Sequence, residues 1–193
     1  MMVMTGLYKT DAEAAAAVKA LEDAGIASAD ISLISPDRGQ AEATPPRQTA
    51  RGAEVGSAIG GVGGLLAGLG AFAIPGSGPV VGAGWLAATL VGALAGGVAG
   101  GAIGAMTKAG MADEDAHLHA ESVRRGNSMV IARVDEAQAD NAAAILGQGA
   151  IGVENQRAEY HASGWNAFNE AGDPWKYRRE DEPGASLPPP LPR

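Results

Sequence analysis

The spacing of apolar and polar residues changes several times along this chain, and each change marks an element. Residues 3–8, Val-Met-Thr-Gly-Leu-Tyr, predict a short strand. Thr10-Asp-Ala-Glu13 follows with capping-box spacing, a hydroxyl at the N-cap and a carboxylate three residues on. Ala12 to Ala24 is rich in helix formers, with Val18 and Leu21 on one side, and Gly25 suits a helix stop. Asp30 to Ser35 then predicts a second strand, with Ile31 and Leu33 on one face and Pro36 at its end.

The same order returns 125 residues later. Met129-Val-Ile-Ala-Arg-Val134 is the clearest strand pattern in the chain. Asp135-Glu-Ala-Gln138 repeats the cap spacing, Asp140 to Gly147 predicts a helix, and Leu146 matches Leu21. Gly149-Ala-Ile151 matches Ala24-Gly-Ile26 without a gap, and Val153 to Tyr160 takes the place of the second strand, at a sheet edge because it is polar. Agreement of cap, helix length and stop at one offset predicts a duplicated βαβ unit. Two such units in series predict an α+β, ferredoxin-like domain, an antiparallel sheet with two helices on one face. Dimerisation across the open sheet face would then help a small core.

Between the halves the period becomes four. Gly52, Gly56, Gly60, Gly64 and Gly68 form one stripe, and Gly92, Gly96, Gly100 and Gly104 another. Ile74-Pro75-Gly76-Ser77-Gly78-Pro79 is a strong break between them. The pattern predicts two helices, near 53–73 and 80–108, folded back on each other as a glycine-zipper hairpin. Each glycine costs a helix about 1 kcal/mol relative to alanine, so stripes of them imply a gain from close backbone approach. The chain thus divides into 1–51 (first half and linker), 52–110 (hairpin insert), 111–160 (helix and second half) and a tail, 161–193, aromatic and then proline-rich.

Composition sharpens the division. The chain has 193 residues and 29 glycines, yet residues 55–107 carry no Asp, Glu, Lys, Arg or His and hold 17 of those glycines. The remainder has the charge density of a soluble domain. Without cysteine there is no disulfide, thiol nucleophile or Cys-bound metal. A net charge of −8 argues against nucleic acid as a partner. The first residues lack a signal-peptide pattern, so the N-terminus reads as mature cytosolic protein. A 20-residue helix over 55–74 rises about 30 Å, enough to cross a hydrocarbon core. Arg47, Arg51 and Lys108 would keep both ends on the cytoplasmic side. Two readings follow: a hairpin inserted in the inner membrane from the cytoplasm, or a cytoplasmic homo-oligomer that buries its hairpins together.

Residues 52–69 and the turn Ile74-Pro-Gly-Ser-Gly-Pro79, with Ala-Gly-Ile26 before a strand and Val123-Arg-Arg-Gly126 before another, resemble the bacterial general stress protein domain family (YflT-type, heat-induced). The resemblance spans roughly residues 3–160, and its most specific part is the Ile-Pro-Gly-x-Gly-Pro turn. His119 departs from it, where an aromatic often stands. The resemblance implies a stress-linked, non-catalytic bacterial protein and supplies no catalytic residues.

Candidate chemistry is sparse. Asp113/His117, Asp115/His119 and His117/Glu121 are i, i+4 pairs of metal-ligand types, but a solvated amphipathic helix accounts for them. There is no P-loop pattern and no nucleophile elbow, and the glycines carry no dinucleotide reading. No cofactor, metal or catalytic residue is assigned. The residues expected to matter are the helix-packing glycines Gly56, Gly60, Gly64, Gly68, Gly92, Gly96, Gly100 and Gly104, and the turn residues Pro75, Gly76, Gly78 and Pro79. The expected function is a non-enzymatic stress-response protein, membrane-associated through the hairpin or a self-associating scaffold, with a small-ligand or metal sensor as a third reading. Self-association is the expected partnership, with membrane lipid beside it. Trp165, Phe168, Trp175 and Tyr177 are expected to cover the domain's own apolar surface.

Overall fold

The computed structural model describes residues 1–36, 70–74, 78–95 and 101–169. β1 (Met2–Tyr8) leads into α1 (Asp11–Asp23) and β2 (Ile31–Pro36). β3 (Gly70–Ile74), β4 (Gly78–Gly84), α2 (Trp85–Ala95), α3 (Gly101–Lys108) and α4 (Asp113–Arg124) follow. β5 (Ser128–Val134), α5 (Glu136–Gly147) and α6 (Val153–Ala162) complete the described elements. The fold is α+β around an antiparallel sheet of order β1-β5-β2-β4-β3.

Local rules explain the first half. Thr10 Oγ1 accepts from the Glu13 N–H at 3.2 Å, and the Glu13 carboxylate accepts from the Thr10 N–H at 3.0 Å, a complete capping box. At the other end the Gly25 N–H reaches the Glu22 carbonyl and the Ile26 N–H reaches that of Leu21, so the last carbonyls of α1 are satisfied. The repeat is less faithful. Asp135 stands at the N-cap of α5, but its side chain makes no cap bond.

β5 lies between β1 and β2, antiparallel to both, with Met4 opposite Ala132 and Leu33 opposite Val130. The unit β1–α1–β2 is therefore split by a strand supplied much later in the chain. β5 alternates between two cores. Val130, Ala132 and Val134 join Val18, Leu21, Ile31, Leu33 and Leu146 beneath α1 and α5. Met129 and Ile131 join Leu7, Ile34, Leu86, Leu90, Met106 and Val123 beneath α2, α3 and α4. A strand buried on both faces reads as a continuous apolar run, as Met-Val-Ile-Ala does here.

The second face corrects the expectation of an open sheet. It is covered by the chain's own charge-free segment and by α4. The helical hairpin is corrected at its tip, while residues 53–69 of its first helix lie outside the described residues. Residues 70–74 and 78–84 are paired strands, with Ile74 opposite Gly78, where the pattern predicted the end of one helix and the start of the next. β4 then pairs with β2, so the hairpin extends the sheet. Glycine, alanine and valine at spacing four fit a small-residue helix face, and they fit a close-packed strand as well.

Gly84 turns β4 into α2 at φ +94°, and a Cβ there would collide with the Ile31 carbonyl oxygen and with Ser32. The close approach lets Ser32 Oγ accept from the Leu86 N–H at 2.9 Å, capping α2 from a neighbouring strand. Trp85 donates its indole N–H to the Asp30 carbonyl at 3.1 Å. Arg133 lies over the Trp85 ring at 4.5 Å and binds the Asp30 carboxylate at 2.7 Å.

The fourth strand of the expected second half is also corrected. Residues 153–162 are helix α6, not a strand. Gln156 and Tyr160, four apart, are its buried positions. Only Ile151 keeps a strand-like contact, its N–H donating to the Leu7 carbonyl at 2.7 Å. Among the described residues no helix is long and apolar enough to cross a membrane.

Candidate functional site

Among the described residues the sheet ends in β3 on one side and in β1 on the other, and β1 is the longer of these two edges. The inner edge of β1 pairs with β5 throughout. Groups on a strand alternate sides, and Leu7 sends its carbonyl outward to Ile151. Val3 and Thr5 therefore also present N–H and C=O outward, and no described strand pairs with them. Beside this edge lies a groove of about 380 Å³, floored by Val3 to Leu7 and walled by Ala143, Leu146, Gly147, Ala150, Ile151, Gly152 and Val153. None of the lining residues is charged. The chain enters the position of a further strand at Ile151 and leaves it when α6 begins at Val153.

Tyr8 secures the inner wall. Its buried hydroxyl donates to the Leu146 carbonyl at 2.8 Å, tying β1 to α5. Burial pushes its pKa up to about 12, so the hydroxyl keeps its proton. Gly6 leaves room for this bond: a Cβ at that position would meet the Tyr8 hydroxyl at 2.7 Å and the Leu146 carbonyl oxygen at 3.0 Å.

On the other face α4 brings polar groups into the interior. His119 is 2% exposed. Its Nδ1 lies 2.6 Å from the Asp115 carbonyl and its Nε2 lies 3.0 Å from Thr5 Oγ1. Nδ1 is therefore the donor and Nε2 the acceptor of the Thr5 hydroxyl proton. Burial holds the His119 pKa below its ordinary value. The Asp115 carbonyl and carboxylate pull it up, and Arg157 pushes it further down. Glu121 is also buried, and its carboxylate takes Arg124 at 2.5 and 2.8 Å and Arg125 at 2.6 Å. Burial raises its pKa, but the two guanidinium groups outweigh that and leave it below the usual carboxylate range.

α6 docks on these groups. Ser122 donates to Gln156 at 3.2 Å, Arg157 binds Asp115 at 2.7 Å, and Arg125 lies 4.0 Å over the Tyr160 ring. The described polar side chains at this joint hold α6 against α4. Thr5 and His119 have the spacing of a nucleophile and a base, but the imidazole is closed inside the β1–α4 packing and its Nδ1–H goes to a main-chain carbonyl, not to a carboxylate.

Most of the glycines singled out from sequence lie outside the described residues: Gly56, Gly60, Gly64, Gly68, Gly96 and Gly100, with Pro75 and Gly76 of the turn. Gly92 is in α2 and Gly104 in α3, while Gly78 and Pro79 are in β4. Of the metal-ligand pairs, Asp113 and His117 approach to 3.7 Å. Among the described residues no three His, Cys, Asp or Glu side chains converge on one point. The helix that carries them is amphipathic as read, but His119 and Glu121 are buried instead of solvated. Phe168 inserts into the core, and Trp165 packs edge-on against Tyr160 at 5.8 Å, while Trp175 and Tyr177 lie outside the described residues.

The sequence reading passed over one pattern. Gly147-Gln-Gly149-Ala-Ile-Gly152 is a Gly-x-Gly-x-x-Gly. It follows a helix, α5, whereas the dinucleotide fingerprint needs a strand before it. Here it forms the passage from α5 to α6 that walls the groove. The groove itself was missed because its lining comes from both ends of the chain. The signal that could have found it is the first strand, Met2 to Tyr8, which has no charged side chain, in an acidic chain. Compared with family models, curated proteins and solved structures, the chain finds no match in any of the three.

Proposed function

We propose that the protein is a non-enzymatic general stress-response protein of the cytoplasm that acts by associating with copies of itself. The observation that carries this reading is the contrast between its two kinds of polar group. The buried side chains His119, Ser122 and Tyr8 are engaged in bonds between elements, and Glu121 in bonds at the end of its own helix, whereas the main-chain groups of Val3 and Thr5 stand open beside an uncharged groove. The first set is a frame, and the second is a surface for assembly. The frame is read as a ferredoxin-like duplication in which α6 replaces the last strand. The stress-family reading rests on the turn Ile74 to Pro79 and the glycine stripe Gly52 to Gly68.

The structure favours the scaffold over a membrane-inserted hairpin. A hairpin would need helices through 53–73 and 80–108, and the strands β3 and β4 occupy the middle of that span. α2 has 11 residues and α3 has 8, rises of about 16 and 12 Å against the roughly 30 Å of a hydrocarbon core.

Sedimentation of the full chain without detergent tests the proposal. A mass above that of one chain, growing with concentration, is expected. A single-chain mass at every concentration overturns it. Recovery of the cellular protein only in detergent-released membrane fractions would transfer the function to lipid association.

A further inference from the structure

We infer that two copies of the chain join through β1, edge to edge and antiparallel, into one continuous sheet; this rests on the self-association proposed above. Among the described residues the Val3 to Thr5 part of this edge lacks the devices that normally blunt a sheet edge. Val3-Met4-Thr5 contains no charge and no proline, β1 pairs without a bulge, and the Ile151 bond covers only the Leu7 end. The exposed large apolar residues of the described structure, Met1 and Met2, stand at the opposite end of the strand from Leu7.

The partner follows from charge and symmetry. Copies of a chain with net charge −8 repel one another, so they meet most readily where the surface is neutral. The groove carries no charged side chain, and the segment Val3 to Leu7 that lines it has none. β1 is thus both the acceptor edge and a strand of the chemistry that edge accepts, as an isologous two-fold contact requires.

The outward groups fix the register. Leu7 is occupied by Ile151, so Val3 and Thr5 are the groups left to pair. A two-fold axis at Met4 places Val3 of one copy opposite Thr5 of the other and forms about four main-chain hydrogen bonds. Met4 then faces its own copy in a non-hydrogen-bonded pair, whose Cα atoms lie about 4.5 Å apart, within disulfide reach.

Because the chain has no cysteine, any disulfide in a single-cysteine variant joins two copies. Met4→Cys in the full chain, mildly oxidised, is expected to give a covalent dimer. An exposed control, Ala137→Cys, is expected to stay single. Val3→Pro removes an outward N–H without touching the ladder to β5, and it should weaken association ~10-fold or more. Val3→Lys, which leaves the main chain intact, reads the same effect if the proline variant melts early. Circular dichroism confirms that each variant is folded. An oligomer that persists in both Val3 variants, with no Met4→Cys dimer, overturns the β1 contact and leaves self-association standing. A wild-type chain of single mass overturns both.

Discussion

The Asp115 carbonyl can only accept, so Nδ1 of His119 carries the hydrogen and Nε2 accepts a hydrogen bond from the Thr5 hydroxyl. The ring is neutral in the folded chain because burial lowers its pKa. The sign follows. Below about pH 6.5 the unfolded chain takes up a proton that the folded chain refuses, so stability is present above that pH and is lost as pH falls. Glu121, also lowered, acts in the same direction in a more acid window, below its ordinary 4.5. His119→Gln removes the first of these contributions. Thermal melts between pH 5 and 7 are expected to depend on pH in the wild-type chain and to flatten in the variant. Equal slopes in both would show that His119 does not titrate with folding.

At the scale of elements, α2 changes the meaning of the charge-free block. Leu86 and Leu90 are 0% and 1% exposed and share a core with Met129 and Ile131 of β5. Leu86→Ala should therefore cost about 2–5 kcal/mol of global stability, as a cavity in a close-packed core does. Urea unfolding monitored at α1 and at α2 is expected to shift together. A change confined to α2 would mean that the block is a separate unit. The sequence marks β1, α1, β2, β5 and α5 because their signals are local: a capping box at Thr10, a stop at Gly25, an apolar run at Met129. It does not mark β3, β4 or α6. Phe72-Ala-Ile74 and Pro79-Val-Val81 are strands because β2 offers an edge, a fact absent from their own spacing. Val153 to Ala162 turns helical where Gln156 and Tyr160 find Ser122 of α4 and Arg125 at its C-cap. Propensity was overridden by tertiary partners in both cases. The groove escaped for the same reason, since Val3 and Gly152 become neighbours only after the sheet has formed.

For the whole molecule, the position of β5 sets an order of events. β1 and β2 are complete by residue 36, but the strand that lies between them begins at Ser128. Roughly 90 residues separate them, which at 5–20 residues per second is about 5–20 s of translation. Throughout that interval both early strands lack their common partner, and β1 has two unpaired edges instead of one. The nascent chain is thus an aggregation hazard of a defined duration, relieved when the strand between β1 and β2 arrives. Ribosome-stalled chains that end before Ser128 are expected to be cut by protease within β1 and β2, and chains extended well past Val134 to resist. Protection in the shorter chains would show that the early strands have found another partner. On this topology the chain is most exposed to wrong pairing at one particular stage of its own synthesis, before its interior strand exists.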